Sequence, residues 1–331
     1  MRGVETATIF PIVSLATSTG FCDLGRMSIT LKDKLRAQRF VITAEVTPPV
    51  SADRAELLDK ALPLKGLADA VNITDGAGAR PHLGAVTAAA MLVEQGIEPI
   101  LQLTCRDRNR IALQSDLLGA AASGIRNLLV LRGDDPSAGD QPDAKPVFDL
   151  DPRALLTTAR RLRDSGELPT GRKIGGHADF FLGSADNPID PPPGWQPTAL
   201  QAKVDAGAQF VQTQFCMDAA LVRRYVARLA ECGVAEKLSV VIGVVPLRSA
   251  KSARWIKEKL FGAVIPDSII DRMERASDPA AEGSRICVDI VHELADVPHV
   301  AGVHIMAPGN DAVVPEVIAA ARAGIVRLAP A

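Results

Sequence analysis

Polar residues lie inside or directly after several apolar runs of this chain, and their types suit catalysis. Glu45 lies within the run VITAEVT (41–47), where a carboxylate is costly unless it is hydrogen-bonded or protonated. A buried carboxylic acid holds its proton more tightly than an exposed one, as a general acid must. The structural alternative is a glutamate paired with an arginine of the core. The sequence leaves both interpretations open.

The segment RGDDP directly follows another apolar run and contains Arg132, Gly133 and Asp134. Glycine lets the backbone approach a ligand closely, and the carboxylates can accept hydrogen bonds from a heterocycle. The alternative is an ordinary turn with an aspartate that caps a helix. The segment NITDGAGAR (72–80) is similar to a phosphate-binding loop, but it lacks both common nucleotide-binding glycine patterns.

Amide and basic side chains form a further group of candidates. Gln212 and Gln214 in QTQF point the same way by the period of a strand, so they could recognise a pterin-like ring or form hydrogen bonds in the core. Lys203 lies near a predicted helix end, where the charge of a surface lysine interacts favourably with the helix dipole. His177 and His304 lie in strand runs, and we favour core roles for both.

Eight short apolar runs alternate with stretches of helical character, which predicts a single α/β domain, a closed (βα)8 TIM barrel. In such barrels the active site lies at the carboxyl ends of the strands. The predicted strands are 41–47, 67–74, 98–105, 126–134, 172–178, 208–215, 238–246 and 299–307. Their polar ends are Glu45, Thr74, Asp75, Gln102, Arg132, Asp134, His177 and Gln214.

Helical periodicity is clear in three of the intervening stretches. Long loops rich in turn formers are predicted at 133–146 and 182–197, after the fourth and fifth strands, and 263–280 has room for an extra helix. The three apolar stripes are Leu221, Val222, Tyr225, Val226 and Leu229; Leu113, Leu117 and Ala121; and Ile286, Ile290, Val291 and Leu294.

Composition excludes several classes of protein. With 331 residues, 47% hydrophobic and 23% charged, and a net charge of −2, the chain resembles a globular protein with no general attraction to nucleic acid or membranes. Five cysteines without CxxC argue against disulfides and fit a reducing cytoplasm. The five histidines form no HxxxH or HExxH pair, so we expect no metal site. A homo-oligomer is expected, as for many enzymes.

The amino-terminal segment has no clear period. We expect residues 1–27 to be a disordered or dispensable extension, or the result of an upstream start codon, and 28–331 to form the catalytic barrel. A signal peptide is the alternative, although Glu5 and the broken apolar run count against it.

Several long segments, in order from about residue 28 to the carboxyl terminus, resemble the methylenetetrahydrofolate reductase family in its short bacterial form. They include AEVTPP, LTCRDRNR, GIRNLLVLRGDDP, KVDAGAQFVQTQF and GVHIMAPGNDAVVPEV. The resemblance implies a barrel that binds FAD noncovalently. NADH or NADPH would reduce the flavin and leave; 5,10-methylenetetrahydrofolate would then take its place and accept hydride, in a ping-pong sequence that yields 5-methyltetrahydrofolate.

The resemblance also implies roles for individual residues. Glu45 matches the general acid, and Asp134 matches an aspartate that contacts folate and influences the flavin. Gln214 and Asn310 fall at substrate positions. The cofactor positions are Thr74, Asp75, Gln102, Arg132, Gly133, His177, Asn187 and Lys203.

Four residues differ from the best-known bacterial members. Asp75 replaces a tyrosine, Gln102 a histidine, Ser252 a glutamine and Asn310 an arginine. Two other functions therefore stay open: a barrel that oxidises methyltetrahydrofolate in methyl-group catabolism, and a folate- or flavin-binding barrel without catalysis. The choice between NADH and NADPH is also open.

Overall fold

A computed structural model describes residues 29–325. The predicted extension, residues 1–27, lies outside the described residues. Eight parallel strands form a closed barrel in sequential order, and the first strand pairs with the eighth through Val41–Gly302 and Thr43–His304. The predicted (βα)8 barrel is thereby confirmed. The strands are β1 (Val41–Val46), β2 (Ala70–Ile73), β3 (Pro99–Thr104), β4 (Asn127–Leu131), β5 (Phe181–Asp186), β6 (Phe210–Phe215), β7 (Ser239–Val244) and β8 (Val300–Ile305).

Helices surround the barrel, and the predicted apolar stripes face it: Val222, Tyr225 and Leu229, for example, are all buried. The predicted extra helix is present between β7 and β8. The helices are α1 (Leu31–Arg36), α2 (Arg54–Ala61), α3 (Ala85–Glu94), α4 (Arg110–Ala122), α5 (Pro152–Ser165), α6 (Thr198–Ala206), α7 (Ala219–Glu231), α8 (Ala250–Lys259), α9 (Asp267–Arg275), α10 (Pro279–Ala295) and α11 (Val314–Ala323). No helix between residues 29 and 325 is both long and apolar enough to cross a membrane.

The prediction of the fifth strand at 172–178 was wrong. Gly171 and Gly176 have positive φ angles there, and the segment forms an exposed loop instead. The strand is FLGSAD, so the loop that follows it begins at residue 187 rather than 182. His177 is therefore exposed and precedes β5, at the amino-terminal end of the barrel, away from the strand ends where it was expected.

The amino-terminal end of the barrel is filled with apolar side chains and closed by α1. Leu31 and Leu35 of α1 pack on the inward-facing strand residues of this end. The Glu98 carboxylate accepts hydrogen bonds from the backbone N–H of Leu31 at the start of the helix, and burial raises the pKa of Glu98. The inward residues in this layer are Val41, Ala70, Ile100, Leu129, Phe181, Phe210 and Val241.

Space inside the barrel is limited where β5 and β6 meet. The Phe181 and Phe210 rings stack with centroids 4.9 Å apart. A Cβ on Gly183 would lie only 2.2 Å from the Phe210 ring. Glycine at 183 is therefore required by packing.

We predict that Gly183→Ala destabilises the fold by about 1 to 3 kcal/mol, because the methyl group displaces a packed ring. Gly119→Ala is the matched control: it lies within α4 with open space around the position, and should stabilise by about 0.5 to 1 kcal/mol. Denaturant unfolding of both variants measures the difference. Equal stability of the two variants would contradict this packing.

Candidate active site

Glu45 lies near the carboxyl end of β1 and is surrounded by polar groups. Its side chain is 20% exposed. The Gln102 Nε2 donates to Glu45 Oε2 at 2.9 Å, and His304 Nε2 lies 3.6 Å from the same oxygen. No hydrogen bond to Glu45 Oε1 is formed by any residue between 29 and 325. Among residues 29–325 no arginine pairs with Glu45, so this part of the chain does not support the structural alternative of an arginine pair.

Below Glu45, the interior of the barrel contains a layer of buried polar side chains. Asn72 and Gln212 exchange two amide hydrogen bonds across the barrel, of 2.6 and 3.1 Å. Gln212 also donates to Thr43, whose hydroxyl lies 2.9 Å from His304 Nδ1. All four residues are at most 3% exposed. We call Thr43, Asn72, Gln212 and His304 the buried polar layer.

The two glutamines of β6 have different surroundings. Gln212 belongs to the buried polar layer, whereas Gln214 is half-buried further along the strand and accepts a hydrogen bond from the Phe215 backbone N–H. Its amide nitrogen has no partner within residues 29–325. The core interpretation therefore fits Gln212, while Gln214 can offer a donor to a ligand.

Asp134 lies at the same end of the barrel as Glu45, on the loop after β4. Its carboxylate is exposed and accepts a hydrogen bond of 3.0 Å from the Gly78 backbone N–H. Arg106, which is only 4% exposed, donates to the Asp134 carbonyl and to the Gly76 carbonyl. These contacts join the loops after β2 and β4. They therefore hold the backbone segment that carries Asp134 in place.

The Asp75 carboxylate accepts several hydrogen bonds from neighbouring residues of the protein. Its Oδ2 accepts from the Thr104 backbone N–H at 2.7 Å, from the Thr104 hydroxyl at 2.9 Å, and from the Arg108 guanidinium. Arg108 also pairs with Asp116. Burial disfavours the charged form of Arg108, but the charges of Asp75 and Asp116 outweigh it and the pKa of Arg108 rises. These contacts tie the loop after β2 to β3 and its following loop.

Several of the predicted cofactor residues lie at the ends of β2, β4 and β5. The Thr74 hydroxyl is buried and has no hydrogen-bond partner among residues 29–325. Lys203 on α6 donates to the Ala185 carbonyl. The Arg132 guanidinium lies 4.5 Å from the centroid of the Phe148 ring. Together these groups offer hydroxyl and cationic donors, which suits a ligand that carries phosphates and polar ring atoms.

Glycine is needed at position 133, next to Arg132. Its φ of 92° is unfavourable for other residues, and a Cβ there would lie 2.9 Å from the Arg106 Cβ. The backbone after β4 therefore turns tightly against Arg106.

Asn187, Asn310 and Ser252 also belong to loops or helix ends that follow strands. Asn187 follows β5 and its amide contacts the backbone at Gly262. Asn310 follows β8 and is half-buried. Ser252 forms a capping box with Ser249 at the start of α8. His177 alone among the predicted site residues lies at the other end of the barrel.

The sequence analysis named Gln212 and His304 of the buried polar layer, but it missed Thr43 and Asn72 and overlooked Phe148. A signal was present: along β1, β2 and β6, polar residues recur at every second position, as Thr43 and Glu45 do. Within residues 29–325, no group of three or more His, Cys, Asp or Glu side chains could hold a metal ion.

Comparison with known proteins identifies the family to which this chain belongs. The family model described as methylenetetrahydrofolate reductase matches residues 30–322. A probable methylenetetrahydrofolate reductase (NADPH) of Caenorhabditis elegans is 28% identical over 239 residues, 70% of this chain and 33% of that protein. The 5,10-methylenetetrahydrofolate reductase of Pectobacterium carotovorum subsp. carotovorum is 27% identical over 221 residues, 64% of this chain and 66% of that protein.

The matched region thus spans a third to about two thirds of these relatives. Among solved structures, the EDTA monooxygenase EmoA from Chelativorans sp. BNC1 superimposes with a TM-score of 0.53 at 13% identity, covering 87% of this chain and 95% of that one. At this identity the likeness shows a shared fold and nothing further.

We predict that Arg108→Met destabilises the protein by about 3 kcal/mol, because two partly buried carboxylates, Asp75 and Asp116, lose their partner. Arg153→Met is the control: Arg153 pairs with Asp151 in an exposed ion pair, and its loss should change stability by less than about 0.5 kcal/mol. Urea unfolding measures both values. A small effect at Arg108 would show that Asp75 is not held as described.

Proposed function

Because the chain belongs to the methylenetetrahydrofolate reductase family, we propose that it reduces 5,10-methylenetetrahydrofolate to 5-methyltetrahydrofolate. The observation that supports this most is the environment of Glu45. One carboxyl oxygen accepts from Gln102, while the other has no partner within the described residues. A carboxyl group that is partly buried and free on one side can carry a proton to a bound substrate.

In this proposal Glu45 protonates a ring nitrogen of the folate. The five-membered ring opens, and the one-carbon unit becomes an iminium that can accept hydride. Gln214 and Asp134 would orient the substrate, since they present an amide nitrogen and an exposed carboxylate at the same end of the barrel. Asn310 on the loop after β8 would complete this set. The partly buried position of Glu45 limits the access of water that could compete for its proton.

We further propose that FAD binds at the ends of β2 to β6. The residues fit: the buried hydroxyl of Thr74 has no partner within residues 29–325, Arg132 and Lys203 would supply positive charge, and Gly133 would let the backbone approach the cofactor closely. Asn187 lies on the adjoining loop. Asp75 and Gln102 would act indirectly, through Thr104 and Glu45. When bound, FAD would supply the chemistry of hydride transfer from NADH or NADPH to the folate.

We predict that Glu45→Gln lowers the rate of folate reduction by at least about 10²-fold, because the amide has no acidic proton to transfer. Reduction of bound flavin by NADH should be affected much less. Stopped-flow absorbance measures the two half-reactions separately. Glu293→Gln, at an exposed site on α10, serves as the matched control. Equal loss in both half-reactions would contradict the role of Glu45 as an acid.

We predict that Lys203→Met weakens FAD binding roughly tenfold, which corresponds to about 1.4 kcal/mol, because a cation that can pair with phosphate is lost. The control is Lys237→Met, at an exposed residue between α7 and β7. Quenching of flavin fluorescence on titration gives both dissociation constants. A wild-type protein that does not bind added FAD would refute the flavin proposal, and one that binds FAD without turnover would favour the non-catalytic barrel.

A further inference from the structure

A continuous row of buried polar groups runs from the middle of the barrel to Glu45. It begins with the reciprocal amide pair of Asn72 and Gln212 and continues through the Thr43 hydroxyl to the His304 ring. The far side of that ring, at Nε2, lies 3.6 Å from Glu45 Oε2. Unlike the residues assigned above, Thr43, Asn72, Gln212 and His304 would not touch the substrate.

The hydrogen bonds of this row determine where the proton of the imidazole ring resides. Gln212 Nε2 donates one proton to Asn72 and the other to the Thr43 oxygen, each at 3.1 Å. The single hydroxyl proton of Thr43 can then go to His304 Nδ1 at 2.9 Å or to the Val303 carbonyl at 3.3 Å. The shorter contact favours Nδ1 as the acceptor. A neutral ring whose Nδ1 accepts carries its proton on Nε2.

The Nε2 atom is buried and has no hydrogen-bond partner in the described part of the chain. A buried donor without a partner is costly, and an acceptor, Glu45 Oε2, lies 3.6 Å away. Gln102 already donates to that same oxygen. Two nitrogen atoms, Gln102 Nε2 and His304 Nε2, thus lie near Oε2, and catalytic hydrogen bonds often shorten only when substrate is bound.

We propose that His304 is a positioning residue for the acid, and that Thr43 holds it in the Nε2–H tautomer. His304 and Gln102 together make Oε2 the accepting oxygen, which leaves the proton of Glu45 on Oε1, the oxygen without a partner among residues 29–325. In the transfer step the Oε1–H bond breaks and a bond from that proton to the folate nitrogen forms. The negative charge left on Glu45 is then met by two N–H donors, and His304 neither gains nor loses a proton. The transfer step depends on the proposed function.

The tautomer can be measured without substrate or cofactor. Long-range ¹H–¹⁵N spectra of ¹⁵N-histidine-labelled protein, assigned with His304→Gln, should show His304 as the Nε2–H form at neutral pH. Thr43→Ser keeps the hydroxyl and should preserve that pattern, whereas Thr43→Val removes the hydroxyl and should lose it. An Nδ1–H ring or a doubly protonated ring in the wild-type protein would overturn the proposal.

Kinetics test the consequence for the acid. His304→Met removes the donor and should slow the folate half-reaction on the order of 10- to 100-fold, with little change in folate affinity. His304→Gln keeps an N–H near the position of Nε2 and should recover part of that loss. Thr43→Val should also slow the folate half-reaction. Thr158→Val is the control, because it removes a buried hydroxyl on α5, outside the barrel.

The two proposals fail in different ways. If the wild-type protein does not reduce folate, the proposed function fails, while the spectra still decide the tautomer of His304. If the wild-type protein reduces folate and neither His304→Met nor Thr43→Val slows that step more than flavin reduction, the positioning role is refuted.

Discussion

The closure of the barrel is the constraint on which the site depends. Side chains that point into a closed sheet of eight strands are removed from water, so each polar group there needs a partner from another strand. Thr43, Asn72, Gln212 and His304 meet this requirement by bonding to one another across the interior. A buried polar network restricts its members to few arrangements when nearly all of its groups are satisfied, and Glu45 lies directly against this one.

The two ends of the barrel differ because the interior changes from apolar to polar along the strands. At the amino end, stacked phenylalanine rings and the leucines of α1 exclude water. At the carboxyl end, Glu45, Thr74 and Gln214 project toward the loops. The period of two along each strand places them in this layer, two residues beyond Thr43, Asn72 and Gln212. The inward-facing residues of the strands therefore form an apolar layer at the amino end of the barrel and a polar layer at the carboxyl end.

The sequence predicted the barrel and Glu45 because apolar runs and an acid inside one of them are local signals. It failed at the fifth strand, since FLGSAD has few branched apolar residues and RKIGGHA appeared equally apolar. Gly183 reads as a strand breaker, yet it is required by the Phe210 ring on β6. The hydrogen bond of His304 could not be predicted either, because its partner Thr43 lies on β1, which pairs with β8 only when the barrel closes.

The family resemblance indicates that Gln102 replaces a histidine. This difference has a physical consequence. An amide remains neutral at every ordinary pH and can only donate to Glu45 Oε2 through its nitrogen. A histidine in that place could also gain or lose a proton itself. With Gln102, the titratable side chain that contacts Glu45 within residues 29–325 is His304, whose ring is in turn bound by Thr43. The two side chains near Glu45 Oε2 are therefore an amide and an imidazole ring, and the ring is in turn held by Thr43 in the interior of the barrel.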